Sequence, residues 1–265
     1  MLRSMFSAVS GLRSHQTMMD VTGNNVANVN TAGYKASRTT FQETLTQQIR
    51  GGNGAGANQG GVNPMQMGLG SAIGATDAVF TQGASQSTGR PTDVAIQGEG
   101  FFVVESGGQR AYTRAGAFGF DDAGNLVTPN GDFVLGADEQ PINIDFAQYS
   151  EVAIAADGSI TGRNTATQQI EQVAQLGLAN FANPEGLTRA GNGLYTESQA
   201  SGAAAIGEPG DGGLGTLQAG TLEMSNVDLA QEFTNLILSQ RGFQANARTI
   251  TTSDELLQEL VNLKR

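Results

Sequence analysis

Between residues 229 and 261 the chain repeats one pattern. Leu229, Phe233, Leu236, Gln240, Phe243, Ala247, Ile250, Asp254, Leu257 and Val261 follow alternating steps of four and three, and only Gln240 and Asp254 are polar. This is the heptad seam of a coiled coil. No Pro interrupts it and Gly242 is its only Gly. Ser225 or Asn226 stands where an N-cap belongs, Asp228 and Glu232 occupy the first turns, and Lys264 and Arg265 close the end, as the helix dipole favours. The β-branched run Thr249-Ile250-Thr251-Thr252 lowers helix propensity and predicts a bend or loosened turn. A helix over about 226–263 would be roughly 55 Å long at 1.5 Å per residue. It is longer than a small domain is wide, so it projects, and its seam needs a partner.

The N-terminus offers one. Leu2, Met5, Val9 and Leu12, then polar Gln16 and Met19, lie on a narrow helical stripe. Asn24, Asn25, Asn28 and Asn30, followed by Thr31-Ala32-Gly33, end it with residues that favour helix termination and turns. The first 40 residues carry Arg3, Arg13, Lys35 and Arg38 against a single acid, Asp20, whereas the C-terminal stretch carries Asp228, Glu232, Asp254, Glu255 and Glu259. Opposite charge favours pairing of the two ends, although exposed pairs contribute little singly. Leu238, Leu256, Leu260 and Leu263 lie off the seam and would stay exposed on a lone pair, which marks an interaction surface rather than a closed hairpin.

Between the helices, residues 51–61 hold six glycines, residues 51–76 hold no charge, and residues 202–220 hold seven glycines. These stretches flank short apolar runs separated by turn signals: Asp93-Val94-Ala95-Ile96, Phe101-Phe102-Val103-Val104, Ala111-Tyr112-Thr113, Leu126-Val127-Thr128, Val152-Ala153-Ile154 and Ser159-Ile160-Thr161. Such spacing predicts an all-β body. The predicted class is α+β, with N- and C-terminal helices paired as a coiled coil and a central all-β domain. The predicted parts are a helical domain of 1–30 and 225–265, a Gly-rich extended linker of 31–76, a β-rich domain of 77–205 and a return linker of 206–224.

Composition excludes several functions. The net charge is −11 and Lys occurs only at Lys35 and Lys264, so no basic cluster exists to neutralise nucleic-acid phosphates. There is no Cys, hence no disulfide framework or thiolate metal site. No run approaches the roughly 18–20 apolar residues that span a bilayer. The first ten residues are interrupted by Ser too often for a secretory signal, so export, if it occurs, takes a route without a cleaved leader.

Catalytic signals are weak. The single histidine, His15, has no Gly-x-Ser-x-Gly partner and reads as a helix-face residue. Gly210-Asp211-Gly212-Gly213-Leu214-Gly215 matches a dinucleotide fingerprint in letters, but Glu208-Pro209 precedes it instead of a strand, so it reads as a linker. Asp121, Asp122 and Asn125 suggest a hairpin turn more than a calcium loop. No catalytic, cofactor-binding or metal residue is assigned and no cofactor is predicted. A secreted β-rich hydrolase or a surface adhesin are the competing classes. The absence of Trp and the presence of only four Tyr argue against a sugar site.

Gly23-Asn24-Asn25-Val26-Ala27-Asn28-Val29-Asn30-Thr31-Ala32-Gly33-Tyr34-Lys35 closely resembles the signature of flagellar rod and hook proteins. Asp93-Val94-Ala95-Ile96-Gln97-Gly98-Glu99-Gly100-Phe101-Phe102 and Tyr112-Thr113-Arg114-Ala115-Gly116 resemble the core motifs of that family, and Ser225-Asn226-Val227-Asp228-Leu229 with Gln240-Arg241-Gly242-Phe243-Gln244 resembles its C-terminal helix. The resemblance implies a tubular homopolymer with the terminal helices lining a channel, and passage through the flagellar type III export apparatus. Ser87-Thr88-Gly89-Arg90 and the ending Leu260-Val261-Asn262-Leu263-Lys264-Arg265 resemble hook members, in the short form of Gram-positive bacteria. That reading implies an extracellular, torque-transmitting flexible joint in contact with distal rod, hook cap and hook–filament junction proteins. The segment from about 40 to 74 resembles instead the linker of distal rod members, where it accompanies a straight, rigid tube. The sequence motifs favour the hook.

Overall fold

The computed structural model describes residues 2–54 and 60–263, and the chain divides into two units: 1–27, 37–78 and 228–265 form one, 28–36 and 79–227 the other. Lys264 and Arg265, and residues 55–59 of the Gly-rich stretch, lie outside the described residues, as does the side chain of Leu2.

In the first unit, helix α1 (Leu2–Ala27) pairs with helix α2 (Leu229–Leu263). Asp228 caps α2: its Oδ1 accepts from the backbone N–H of Ala230 at 2.8 Å and of Gln231 at 3.3 Å. The cap therefore falls two residues beyond Asn226. Across Thr249-Ile250-Thr251-Thr252 the helix continues as α-helix, and Thr249, Thr251 and Thr252 donate their hydroxyls to carbonyls three or four residues back. Strands β1 (Ser37–Glu43), β2 (Thr46–Arg50), β3 (Met65–Gly68) and β4 (Ser71–Ala78) occupy about half of the stretch read from sequence as linker. β1 pairs antiparallel with β4, with a bulge at Thr40/Phe41, and β2 pairs antiparallel with β3. Extended conformation is legible there; the pairing is not, because Gly, Asn and Gln obscure the strand alternation. The β1–β4 ribbon lies along α1. Asn25 spans the two, accepting from Ser37 N–H at 2.9 Å and donating to Ser37 O at 2.8 Å.

The second unit is built from β5 (Ser85–Ser87), β6 (Val94–Gln97), β7 (Phe101–Ser106), β8 (Gln109–Thr113), β9 (Gly119–Phe120), β10 (Leu126–Val127), β11 (Phe133–Val134), β12 (Tyr149–Ile154), β13 (Ser159–Asn164), β14 (Ile170–Gln175), β15 (Leu178–Asn180), β16 (Thr188–Gly191), β17 (Leu194–Thr196), β18 (Ala205–Gly207), β19 (Thr216–Ala219) and β20 (Thr221–Glu223). A nine-stranded sheet centres on β7, which pairs with β8 on one side and with β15 and β11 on the other. Phe101 through Val104 are buried on both faces. Phe102 and Val104 enter a core with Ile96, Phe118, Leu126, Ile160 and Leu176, while Phe101 and Val103 enter a second with Tyr112, Phe181, Leu187 and Tyr195. Period-two alternation in one apolar run thus feeds two cores. The predicted return linker, 206–224, contains β19 and β20, which pair with β6 and β5. It belongs to the β unit.

Candidate assembly surface and motif cluster

α1 and α2 run antiparallel, and small side chains set how closely they approach. A Cβ at Gly242 would come within 2.5 Å of the His15 ring, and one at Gly11 within 2.7 Å of the Asn246 amide, so each helix supplies a notch for a polar knob of the other. Near the far end Asn25 Nδ2 donates to Glu232 Oε1 at 3.1 Å. The buried positions of α1 are Ala8, Gly11, Ser14, Thr22 and Asn25, and those of α2 are Ser239 and Ser253. Ser239 and Ser253 donate to Leu236 O and Thr249 O, which removes the cost of burying their hydroxyls.

The contact face therefore differs from the predicted seam at alternate positions. Leu236, Phe243, Ile250 and Leu257 are half-buried, with Ser239, Asn246 and Ser253 between them. Leu229, Phe233 and Val261, predicted on the same seam, lie exposed, as do Gln240 and Asp254. On α1, Met5, Val9, Leu12 and Met19 are half-buried and flank the small-residue face. The predicted stripes are real in sequence, but they coincide with the helix–helix contact only in part.

What remains uncovered is large. Nineteen large hydrophobic residues are exposed among the described residues, and all but Phe133, Phe146 and Ile170 belong to the first unit. Among the described residues that unit contributes a single buried hydrophobic residue, Ala8. Isolated surface hydrophobics need no explanation; a unit with this balance lacks a core of its own and exposes apolar area of the kind that marks interaction sites.

The motif residues fall in two places. Asn24 is exposed on α1 and Asn25 is buried as described. Asn28, Gly33 and Tyr34 lie in the second unit, where Thr31 donates its hydroxyl to Asn28 Oδ1. Gly33 adopts φ 71°, its N–H donates to Glu223 O at 2.8 Å, and a Cβ there would collide with the Arg114–Ala115 backbone. Only Gly fits that position. Beside it Lys35 is fully buried: Nζ donates to Glu223 Oε1 at 2.5 Å and to Thr81 O at 2.8 Å. Glu223 also accepts from Gly83 N–H at 2.9 Å and faces Arg114 Nη1 at 3.4 Å, and Arg114 donates on to Gly98 O. Two cations share one carboxylate. Burial pulls the Lys35 ammonium below its ordinary pKa despite Glu223, and burial likewise lowers that of Arg114. Arg189 packs its guanidinium over Tyr34 and Tyr195 and donates to Lys35 O, so Tyr34 is held by a stacked cation. Tyr195 is held above the ordinary phenol range, first by burial. Asn226 completes the joint, accepting from Ala36 N–H and donating to Val79 O.

This cluster ties distant segments of the chain together. It fastens 33–36, 81–83, Arg114 and 223–226 at one point of the β unit. The sequence puts Lys35 among the charges expected to pair the two ends, whereas its partner is Glu223 of the β unit; Arg114 stands in a motif without a role, and Glu223, Arg189 and Tyr195, whose partners are remote in sequence, give no signal.

The other sequence signals resolve locally. Residues 210–215 form a turn between β18 and β19, with Gly210 N–H donating to Gly215 O and no helix following. Asp121 accepts from the N–H groups of Ala123 and Asn125 and from Asn125 Nδ2, and these bonds, led by that from the Asn125 side chain, lower its pKa. It shapes a turn.

Comparison with known proteins agrees with the motifs. Residues 5–35 match a family described as flagella basal body rod protein, residues 95–162 the flagellar hook protein FlgE/F/G D1 domain, and residues 218–263 the flagellar basal body rod FlgEFG protein C-terminal. The flagellar basal-body rod protein FlgG of Bacillus subtilis is 50% identical over 266 residues, covering all of both chains. FlgG of Borreliella burgdorferi is 37% identical over the whole of both chains, and the flagellar hook protein FlgE of Treponema pallidum is 32% identical over 463 residues, again covering both. With three motif regions in order and full-length identity of this level, the chain belongs to the flagellar rod and hook protein family, whose members are structural parts and not enzymes.

Proposed function

We propose that this chain is a self-assembling rod subunit of the flagellar basal body. The observation that carries self-assembly is the helical unit without a core, whose apolar side chains stay in water unless other copies cover them. Burial at about 25 cal/mol per Å² supplies the drive. The partners are other copies of the chain and adjoining rod and hook proteins, reached after passage through the flagellar export apparatus.

Rod is preferred to hook on two grounds. Identity to the Bacillus subtilis rod protein is 50% over an alignment of 266 residues, against 32% to a hook protein aligned over 463 residues. The β2–β3 ribbon, which falls in the segment similar to distal rod linkers, also exposes Ile49, Met65 and Met67 and gives neighbouring copies a further surface to brace. The hook-like Ser87-Thr88-Gly89-Arg90 and the C-terminal ending favour the second reading, a hook subunit. Deleting the gene and imaging the stalled basal bodies separates them. A rod subunit leaves a particle truncated within the rod; a complete rod lacking only the hook overturns the rod reading.

A further inference from the structure

Two surfaces of the helical unit are open, and they are complementary. The first is a groove of about 590 Å³ between α1 and the β1–β4 ribbon. Phe6, Val9, Ala72 and Ile73 are its apolar lining, five Ser and Thr residues add hydroxyls, Arg13 is its charged residue, and no carboxylate is among the lining residues. The second is the end of α2. The contacts Asn25–Glu232, His15–Gly242 and Gly11–Asn246 keep one antiparallel register, which, carried on, sets Leu2 level with Glu255. The last two turns of α2 therefore run past the described start of α1. Leu256, Leu260, Val261 and Leu263 in those turns are 51%, 51%, 66% and 82% exposed. Glu255 and Glu259 are the charges beside them, and Lys264 and Arg265 follow in the sequence.

We propose that the groove of one copy receives the overhanging end of α2 from a second copy. An apolar helix end with two carboxylates, Glu255 and Glu259, on its preceding turns fits a partly apolar groove whose one charged residue is an arginine, and each chain carries one of each. Groove and helix end are different patches, so the contact is heterologous, and repetition gives an open array instead of a closed dimer. This inference rests on the assembly reading and names the surfaces through which it proceeds.

The chain has no Cys, so introduced thiols report on one contact at a time. Thr17→Cys and Thr44→Cys, on two walls of the groove, are each combined with Leu260→Cys and oxidised under conditions where wild-type protein polymerises. Disulfides need Cα atoms within about 7 Å. The expected result, from at least one pair, is a ladder of dimers, trimers and larger species on non-reducing gels, taking in the majority of chains. A mixture of Thr17→Cys and Leu260→Cys single variants, or of Thr44→Cys and Leu260→Cys, then stops at dimers. Polymers visible by electron microscopy with no ladder from either pair overturn this docking and leave self-assembly standing. A disulfide closed within one monomer overturns it equally. If wild-type protein forms no polymer, the assembly reading fails and the docking with it.

Discussion

Glu223 holds two cations in a place where water cannot reach them. Lys is almost never fully buried without a partner, and here Lys35 and Arg114 depend on the same carboxylate. Glu223→Gln keeps the shape and removes the charge, so both cations stay buried with only carbonyl oxygens to face. Breaking a buried pair in this way costs about 3–5 kcal/mol. Lys35→Met should cost less, since it removes one of the two buried cations and leaves Glu223 paired with Arg114 and the Gly83 N–H. All four tyrosines, Tyr34, Tyr112, Tyr149 and Tyr195, lie in the β unit and the chain has no Trp, so the tyrosine band of the near-ultraviolet circular dichroism, at longer wavelength than the phenylalanine bands, reports on that unit during urea unfolding. A Glu223→Gln midpoint equal to wild type, or a larger loss from Lys35→Met, would refute this account. The site was half legible. Lys35 stands out as one of two lysines, inside a recognisable motif. Its counter-ion lies 188 residues away, and nothing in a linear pattern joins them.

At the scale of elements, the notch between Gly242 and His15 fixes how close α1 and α2 come. Ala at a helix-interior Gly ordinarily stabilises by roughly 0.5–1 kcal/mol. At Gly242 the added methyl meets the imidazole, so Gly242→Ala should be neutral or destabilising in the wild-type background. In a His15→Ala background the notch is empty, and the same change should recover the ordinary gain. The helical far-ultraviolet signal on heating provides the double-mutant cycle. Equal effects of Gly242→Ala in both backgrounds would mean the two residues do not interlock. The notch also explains what the sequence could not convey about the seam. Apolar periodicity finds Leu236, Phe243, Ile250 and Leu257 and then continues through the next apolar letters, Phe233 and Val261. Closely packed helices instead bury small side chains whose hydroxyls are satisfied by their own backbone, and Ser239 and Ser253 carry no apolar signal. In the β body the reading from sequence is closer, because an unbroken apolar run such as Phe101-Phe102-Val103-Val104 is buried on both faces, so each of its apolar letters means burial.

For the whole molecule the apolar residues divide into those that hold the monomer and those held in reserve, and two phenylalanines on one helix test the division. Phe243 is half-buried against the helix pair, whereas Phe233, ten residues earlier, is 50% exposed. A charge at Phe243 must be buried or must push the helices apart, so Phe243→Asp should lower the thermal stability of the helical signal and abolish polymer formation together. A charge at Phe233 sits in water in the monomer, where surface substitutions change stability by about 0.5 kcal/mol or less. Phe233→Asp should therefore leave the monomer's melting near that of wild type and still block polymers, because a neighbouring copy would have to bury the carboxylate unpaired. Neither change should alter the near-ultraviolet signal of the β unit. Sedimentation read beside circular dichroism separates the outcomes. If Phe233→Asp polymerises as wild type does, that exposed face is not a contact between copies, and the surplus of apolar side chains on α2 needs another explanation.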